Sequence, residues 1–286
     1  MGQKAIRRAK FFAEHPYCIF CGGAAPATTI EHCPPRGMFH DRAWPDGFEF
    51  PACEACNEGS SDADLLVAFL KRCADPGDTV DAAGTLGTIK ATRKQLPSVL
   101  QQMGAVRSSS IEARRLNRRF GNRPGPGEMH QDVSPLPLPD EAHTAIPMFG
   151  GKLAKGIYYM KSHQAFSSDG CLLLHWFTNT ESARTGTYPV FDALRSFPAV
   201  EMPVRRGNAS LVEQFRVRAH HAPDEQLIYV EAEVGRAFGL VAVGCAQPGY
   251  LERLLAETSG GERIFDVFDV LQSSVLPVVR RNRTVS

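Results

Sequence analysis

The sequence predicts an α+β protein whose N-terminal, middle and C-terminal parts differ in composition. Residues 1–60 are rich in Cys, Pro, Gly and His and show little hydrophobic periodicity, whereas residues 61–120 carry apolar side chains at helical spacing. Beyond about residue 140, short apolar runs alternate with Pro, Asp and Gly. This pattern favours an antiparallel meander over a crossover α/β sheet. We therefore divide the chain into the segments 1–65, 66–123, 124–140 and 141–286.

The overall composition excludes several classes of protein. Of the 286 residues, 43% are hydrophobic and 22% are charged, so the chain has enough apolar surface to fold. Basic and acidic residues balance to a net charge of +1, and any attraction to a polyanion must therefore come from a local patch. The sequence lacks both a run of about 20 apolar residues and the apolar stretch of a secretory signal. We expect a cytoplasmic protein without a membrane partner.

Four of the eight cysteines form two Cys-x-x-Cys pairs, Cys18/Cys21 and Cys53/Cys56. Each pair places two thiolates on a tight turn, and two such turns complete a tetrahedral Cys₄ site. A redox dithiol is the alternative, but no strand–helix pattern of the thioredoxin kind adjoins either pair. The spacing predicts a structural zinc ion, which would stabilise a segment with few core residues. The isolated cysteines are predicted to be ordinary buried side chains: Cys33, Cys73, Cys171 and Cys245.

Acidic, imidazole and amide side chains lie beside these predicted zinc ligands. Glu31 and His32 are adjacent, and Asn57 directly follows the second pair. This arrangement resembles the HNH endonucleases, whose ββα-metal finger is often held by two zinc knuckles, and the resemblance covers about residues 15–65. The pattern Glu-His-x-Pro-Pro-Arg-x-x-Phe resembles a divergent subgroup in which a longer C-terminal region follows the finger. The resemblance implies that His32 is the general base and that Glu31 and Asn57 hold a catalytic Mg²⁺ or Mn²⁺.

Phosphodiester hydrolysis needs these residue types. A neutral imidazole can deprotonate water near neutral pH, and a hard cation held by oxygen ligands neutralises charge on the leaving oxygen. The family's middle Asn, which orients the catalytic His, has no counterpart in residues 44–51. Either a backbone carbonyl, Asp46 or Glu49 takes that role, or turnover is weakened. Arg36 lies close enough in sequence to hold a phosphate, although a solvated role is equally open.

The sequence therefore predicts a metal-dependent endonuclease that hydrolyses phosphodiester bonds in DNA. The alternative is a non-catalytic, zinc-stabilised nucleic-acid-binding protein that retains the finger but not turnover.

A helix is predicted to begin at Ser61, which with Asp64 resembles a capping box. Its apolar face would contain Leu65, Leu66, Phe69, Leu70 and Cys73. Asp62 and Asp64 are expected to favour the positive end of this helix.

A second helical stretch is predicted from about Leu86 to Phe120. Between Leu86 and Arg123 there are nine basic residues and one acidic residue. Four of the basic residues form i,i+4 pairs that repel on a helix, and we call them the arginine quartet: Arg114, Arg115, Arg118 and Arg119. This concentration of charge predicts contact with DNA, with a solvated face or internal pairing as the alternative.

The C-terminal half carries no motif that indicates chemistry. Its Pro/Gly-rich start is predicted to be a linker or surface strap, followed by a helix over Gly151–Gln164. Strands are predicted over Cys171–Phe177, Val212–Ala219, Leu227–Val234 and Phe238–Cys245. A packing scaffold and a substrate-docking module are both consistent with this half.

Overall fold

The computed structural model describes residues 2–74, 81–104, 138–179 and 198–250, with isolated residues and two short strands elsewhere in the chain. The predicted α+β class is confirmed, since helices combine with antiparallel sheets. In this described part of the chain, no helix has the length and apolar character needed to cross a membrane. Most of the predicted linker at 124–140 lies outside the described residues.

The N-terminal part consists of one exposed helix, one hairpin and one short helix. Its elements are α1 (Gln3–Glu14), β1 (Thr29–His32), β2 (Glu49–Ala52) and α2 (Glu54–Glu58). The two strands pair antiparallel, which places Glu31 opposite Phe50 and His32 opposite Glu49. The backbone N–H of Ile19 donates to the carbonyl of Pro51, so the first Cys-x-x-Cys turn is tied to β2. The second pair lies at the start of α2, directly after β2.

Three helices follow: α3 (Ser61–Ala74), α4 (Ala82–Gln95) and α5 (Pro97–Gly104). The predicted cap at Ser61 is wrong by one residue, because the N–H of Asp64 donates to the carbonyl of Ser60 and the helix begins after Ser60. One continuous helix from Leu86 is also wrong. Leu96 is non-helical, with φ −130° and ψ 61°, as expected for a residue before proline.

The buried face of α3 differs from the prediction at its C-terminal end. Cys73 is exposed, whereas the other three isolated cysteines are buried as predicted. Arg72 is buried instead, because its guanidinium donates to the carbonyl of Phe39 and to Asp81 Oδ2, both at 2.7 Å. A charged side chain with such partners can be buried at a position where a sequence pattern predicts exposure.

The long helix α6 (Ala142–Ser162) begins nine residues before its predicted start at Gly151. Pro147 and the pair Gly150–Gly151 weaken the helical pattern, but they lie inside the helix all the same. The chain leaves α6 at His163, which adopts a left-handed conformation.

The C-terminal half forms a seven-stranded antiparallel sheet and a separate two-stranded ribbon. The strands are β3 (Cys171–Thr178), β4 (Val200–Glu201), β5 (Arg205–Arg206), β6 (Ala209–Ser210), β7 (Arg216–Ala222), β8 (Leu227–Val234), β9 (Phe238–Cys245), β10 (Asp269–Gln272) and β11 (Val278–Val279). The order in the large sheet is β11-β10-β3-β9-β8-β7-β4. The predicted bounds of β8 and β9 are confirmed. The strand predicted from Val212 begins at Arg216, because residues 211–215 form a turn.

Helix α6 joins the N-terminal hairpin to the large sheet. Gly150 faces Leu174 of the sheet and Gly156 faces the ring of Phe50 on β2. A single cluster of buried apolar side chains runs from Cys18 to Ala246, and it includes Phe50, Leu66 and Leu153. The sequence segments 1–65 and 141–286 therefore share one hydrophobic core.

Candidate functional site

Four cysteine side chains converge beside the β1–β2 hairpin. The Sγ atoms of Cys18, Cys21, Cys53 and Cys56 all lie within 4.8 Å of one another. A tetrahedral ion with Zn–S bonds of about 2.3 Å would separate its sulfurs by about 3.8 Å, so the cluster could hold a metal ion such as zinc. A hydrogen bond with Cys56 lowers the pKa of the Cys18 thiol to about 4, although burial opposes this shift. The four predicted ligands are thus brought together, and the lowered pKa favours the thiolate form of Cys18, whereas burial raises the pKa of Cys21.

Lys155 of α6 contacts the turn that carries Cys18 and Cys21. Its Nζ donates to the carbonyl of Phe20 at 2.8 Å, and Phe20 lies between the two cysteines of that turn. Burial lowers the pKa of Lys155 to about 8, while the charge of the nearby cysteines acts in the opposite direction. A positive group next to a cluster of thiolates offsets their negative charge and fixes the orientation of the ligand loop.

His32 lies at the end of β1, enclosed by Arg36, Trp44 and Glu49. The Nη2 of Arg36 donates to Nε2 of His32 at 2.5 Å, and the Trp44 ring contacts the imidazole edge-on at 5.0 Å between centroids. A ring nitrogen that accepts a hydrogen bond carries no proton, so His32 is neutral and its proton is on Nδ1. Burial and then the Arg36 charge lower the pKa of His32 to about 4.

Two of the predicted orienting groups for His32 can now be located. Oε1 of Glu49 lies 3.2 Å from the same Nε2 atom. While Nε2 accepts a hydrogen bond from Arg36, it carries no proton that it could donate to Glu49. The Arg36 contact is the shorter of the two, and a hydrogen bond donated to Nε2 agrees with the lowered pKa of His32. Asp46 instead accepts from Arg206 at 2.9 Å and from the N–H of Gly207 at 2.7 Å. Glu49 therefore contacts His32, and Asp46 binds the β5–β6 ribbon.

Glu31 points to the other side of β1 and meets a lysine from α6. Nζ of Lys152 donates to Glu31 Oε1 at 2.5 Å, to Ser60 Oγ at 2.8 Å and to Asp64 Oδ2 at 2.6 Å. Lys152 is only 6% exposed and Glu31 only 4%. Burial raises the pKa of Glu31 to about 7, and Lys152 opposes that shift. Although burial disfavours the ammonium, Asp64 and Glu31 raise the pKa of Lys152, so it is charged.

Asn57 lies on α2 and lines the same cleft as Glu31 and His32. The cleft has a volume of about 630 Å³, and its polar lining includes Glu31, His32, Arg36, Arg42, Asn57 and Asp64. The cleft therefore brings together all three residues that the sequence singles out for catalysis. It also contains Arg36, the predicted phosphate contact, and two further arginines, Arg42 and Arg72.

Lys152 competes with the cation predicted for Glu31 at the carboxylate oxygen Oε1. An Mg²⁺ ion binds carboxylate oxygens at about 2.0–2.1 Å, and the Nζ of Lys152 already takes that side of Oε1. A divalent ion and the ammonium group would overlap if both were bound there. We therefore derive no catalytic step through a divalent ion.

The loop that carries Arg42 into the cleft rim has a strained backbone. Asp41 and Arg42 have φ values of 52° and 55°, a region that residues other than glycine rarely adopt. Asp81 stabilises this conformation, because its Oδ2 accepts from the N–H of Asp41 at 3.1 Å and from Arg72 at 2.7 Å. Strain of this kind persists where the surrounding structure fixes it, and it is common at functional sites.

The arginine quartet is described only in part. Arg114, Arg115 and Arg118 are helical and exposed, and Arg119 lies outside the described residues. These three arginines are absent from the lining of the cleft. A DNA-binding role for the quartet stays a prediction.

Sequence reasoning missed four residues of this site: Ser60, Asp64, Arg206 and Lys152. Asp64 was expected only to favour the helix end, yet it contacts Lys152. Arg206 stacks on the Trp44 ring at 4.2 Å, and Arg36 stacks on the same ring at 4.1 Å. One signal was present in the sequence, namely Lys152 and Lys155, three residues apart in a largely apolar stretch of α6.

Comparison with protein-family models, curated proteins and solved structures finds no match to this chain. The geometry of the site therefore carries the functional argument.

Proposed function

We propose that this chain is an HNH-type endonuclease that hydrolyses phosphodiester bonds in DNA, with His32 as the general base. The observation that supports this most strongly is the shared cleft of His32, Asn57 and Glu31 on a strand–strand–helix unit beside four clustered cysteines. In this proposal the cysteines hold a structural zinc ion, which ties the segment before β1 to the segment after β2. The hairpin in turn fixes His32.

Arg36 is the first group that the phosphate would meet. An anionic phosphodiester is a stronger acceptor for a guanidinium than a neutral imidazole, so Arg36 moves from His32 to the substrate. This frees Nε2 of His32. The positive charge of Arg36, which helps to lower the pKa of His32, is then paired with the phosphate. The imidazole therefore becomes a stronger base when substrate is bound.

His32 then removes a proton from a water molecule in the cleft. The hydroxide attacks phosphorus, the bond from phosphorus to the leaving sugar oxygen breaks, and that oxygen takes a proton from solvent. Glu49 lies 3.2 Å from Nε2, where its carboxylate accepts the new N–H and stabilises the imidazolium. Glu49 thereby supports the base after proton transfer, which replaces part of the role of the missing middle Asn.

The test is nicking of supercoiled plasmid by wild type, His32→Ala and His143→Ala. His143 is an exposed histidine on α6 that contacts Trp176 edge-on and does not line the cleft, so its loss should leave nicking unchanged. His32→Ala should lower the rate by about 10²–10⁴-fold, the usual contribution of a general base. Equal nicking by both variants in zinc-containing protein would show that His32 has no part in the reaction.

A second function is favoured by one observation, the pairing of Glu31 with Lys152. A finger whose acidic ligand is already neutralised could bind nucleic acid without cleaving it. DNA binding by wild type without any nicking, in either Mg²⁺ or Mn²⁺, would support this non-catalytic function and exclude the endonuclease.

A further inference from the structure

We infer that the ammonium group of Lys152 is the resident cation beside Glu31, where it takes the place of a divalent metal ion. The inference extends the proposed function by naming the positive group beside Glu31. Its relevance to catalysis rests on that proposed function. Its binding test does not depend on turnover.

The coordination of Lys152 supports this assignment. An ammonium group has three N–H donors, and Nζ has three oxygen partners at 2.5, 2.8 and 2.6 Å, on Glu31, Ser60 and Asp64. Two of these partners are carboxylates and the third is a hydroxyl, which are the oxygen donors that a hard cation also takes. All donors of Lys152 are used, so the site is complete without a metal ion.

The position of Lys152 in the fold makes the ammonium a fixed group. Lys152 lies on α6 between Gly150, which faces Leu174, and Gly156, which faces Phe50. Its side chain is 6% exposed. Withdrawal of the lysine would leave Glu31 and Asp64 together in a buried site, and Oδ1 of Asp64 already has no hydrogen-bond partner among the residues that the structure describes. Two facing carboxylates without a cation are unfavourable, so the charge has to be supplied by the lysine or by an ion.

The need for a cation between Glu31 and Asp64 can be tested by metal binding, without DNA. Mn²⁺ is titrated into zinc-loaded protein, and bound Mn²⁺ is measured by electron paramagnetic resonance for wild type, Lys152→Met and Lys152→Met/Glu31→Gln. We expect no Mn²⁺ site in wild type, one new site in Lys152→Met with affinity at least about tenfold above background, and loss of that site in the double variant. The control is Lys161→Met, which removes an exposed lysine in the last turn of α6 and should create no Mn²⁺ site.

Two results would overturn the inference. One is a wild-type Mn²⁺ site that Glu31→Gln abolishes, and this result does not require any Lys152 variant to fold. The other is a Lys152→Met protein with wild-type circular dichroism that gains no Mn²⁺. Because none of these measurements involves cleavage, failure of the endonuclease proposal would leave the Mn²⁺ result unchanged.

Discussion

Gly156→Ala should destabilise the protein because it pushes α6 away from the hairpin that carries His32. A Cβ atom at this position would lie 2.7 Å from Cζ of Phe50. Phe50 is 1% exposed and contacts Phe20 edge-on, so its ring has little room to move. Overpacking of this kind costs about 1–3 kcal/mol, whereas alanine in place of a helical glycine contributes up to about 1 kcal/mol. The free energy of unfolding should therefore fall by up to about 2 kcal/mol.

Gly87→Ala is the matched control, since Gly87 is also inside a helix but a Cβ there would meet nothing within 4 Å. It should raise the free energy of unfolding by about 0.5–1 kcal/mol. The difference between the two variants isolates the Phe50 contact at about 1–3 kcal/mol. For a chain of this size that corresponds to about 2–12 °C in Tm. Urea and thermal unfolding of zinc-loaded protein, followed by circular dichroism, measure both quantities.

A Phe50→Leu substitution should partly rescue Gly156→Ala, because the shorter side chain makes room for the new methyl group. The coupling between the two changes should be about 0.5–3 kcal/mol. Equal stability of Gly156→Ala and Gly87→Ala would refute the close packing of α6 on β2, and with it the fixed position of Lys152.

Three further predictions concern the metal cluster, the middle segment and acid stability. Purified protein should contain one zinc per chain, and Cys53→Ser should lose the zinc and unfold the hairpin; elemental analysis that finds no zinc in wild type would contradict this. Replacing the arginine quartet with serine should weaken DNA binding similarly across sequences and flatten its salt dependence, whereas an unchanged slope would show that these arginines face something else. The pKa of His32 is about 4 in the fold and 6.5 in its ordinary range, so the unfolded chain binds more protons between these values. The stability contributed by this group is therefore present above pH 6.5 and lost as the pH falls towards 4. Arg36→Ala should raise the pKa of His32, as measured by NMR titration of the imidazole, and a wild-type value near 6.5 would be inconsistent with the partly buried Arg36 contact.

The sequence was most informative where the signal is local. Strands β8 and β9 were predicted to the residue because each is rich in apolar and β-branched side chains and is bounded by turn residues. The Cys-x-x-Cys spacing predicted the cysteine cluster, since each pair needs only its own tight turn. Residues 31, 32 and 57 were identified by their position relative to those pairs, and they do line one cleft.

The missed features depend on contacts between distant parts of the chain. Lys152 meets Glu31 across 121 residues of sequence, and no local pattern shows which carboxylates will neutralise a buried lysine. Lysine is rarely buried without a partner, so the sequence alone would assign Lys152 and Lys155 to the exposed face of α6. Pro147 interrupts the helical pattern, so the sequence does not show where α6 begins or that its lysine supplies the positive charge beside Glu31. The contact between Arg36 and His32 also depends on packing around Trp44 that the sequence does not specify.

The role of His32 is tested most directly by measuring cleavage and binding on the same labelled DNA duplex. Single-turnover cleavage and filter binding are compared for wild type and His32→Ala, with zinc content and circular dichroism matched. A general base acts on the water molecule and not on ground-state binding, so the cleavage rate should fall by about 10²–10⁴-fold while the Kd stays within about twofold. Cleavage by His32→Ala at the wild-type rate, with zinc still bound, would contradict the assignment of His32 as the general base.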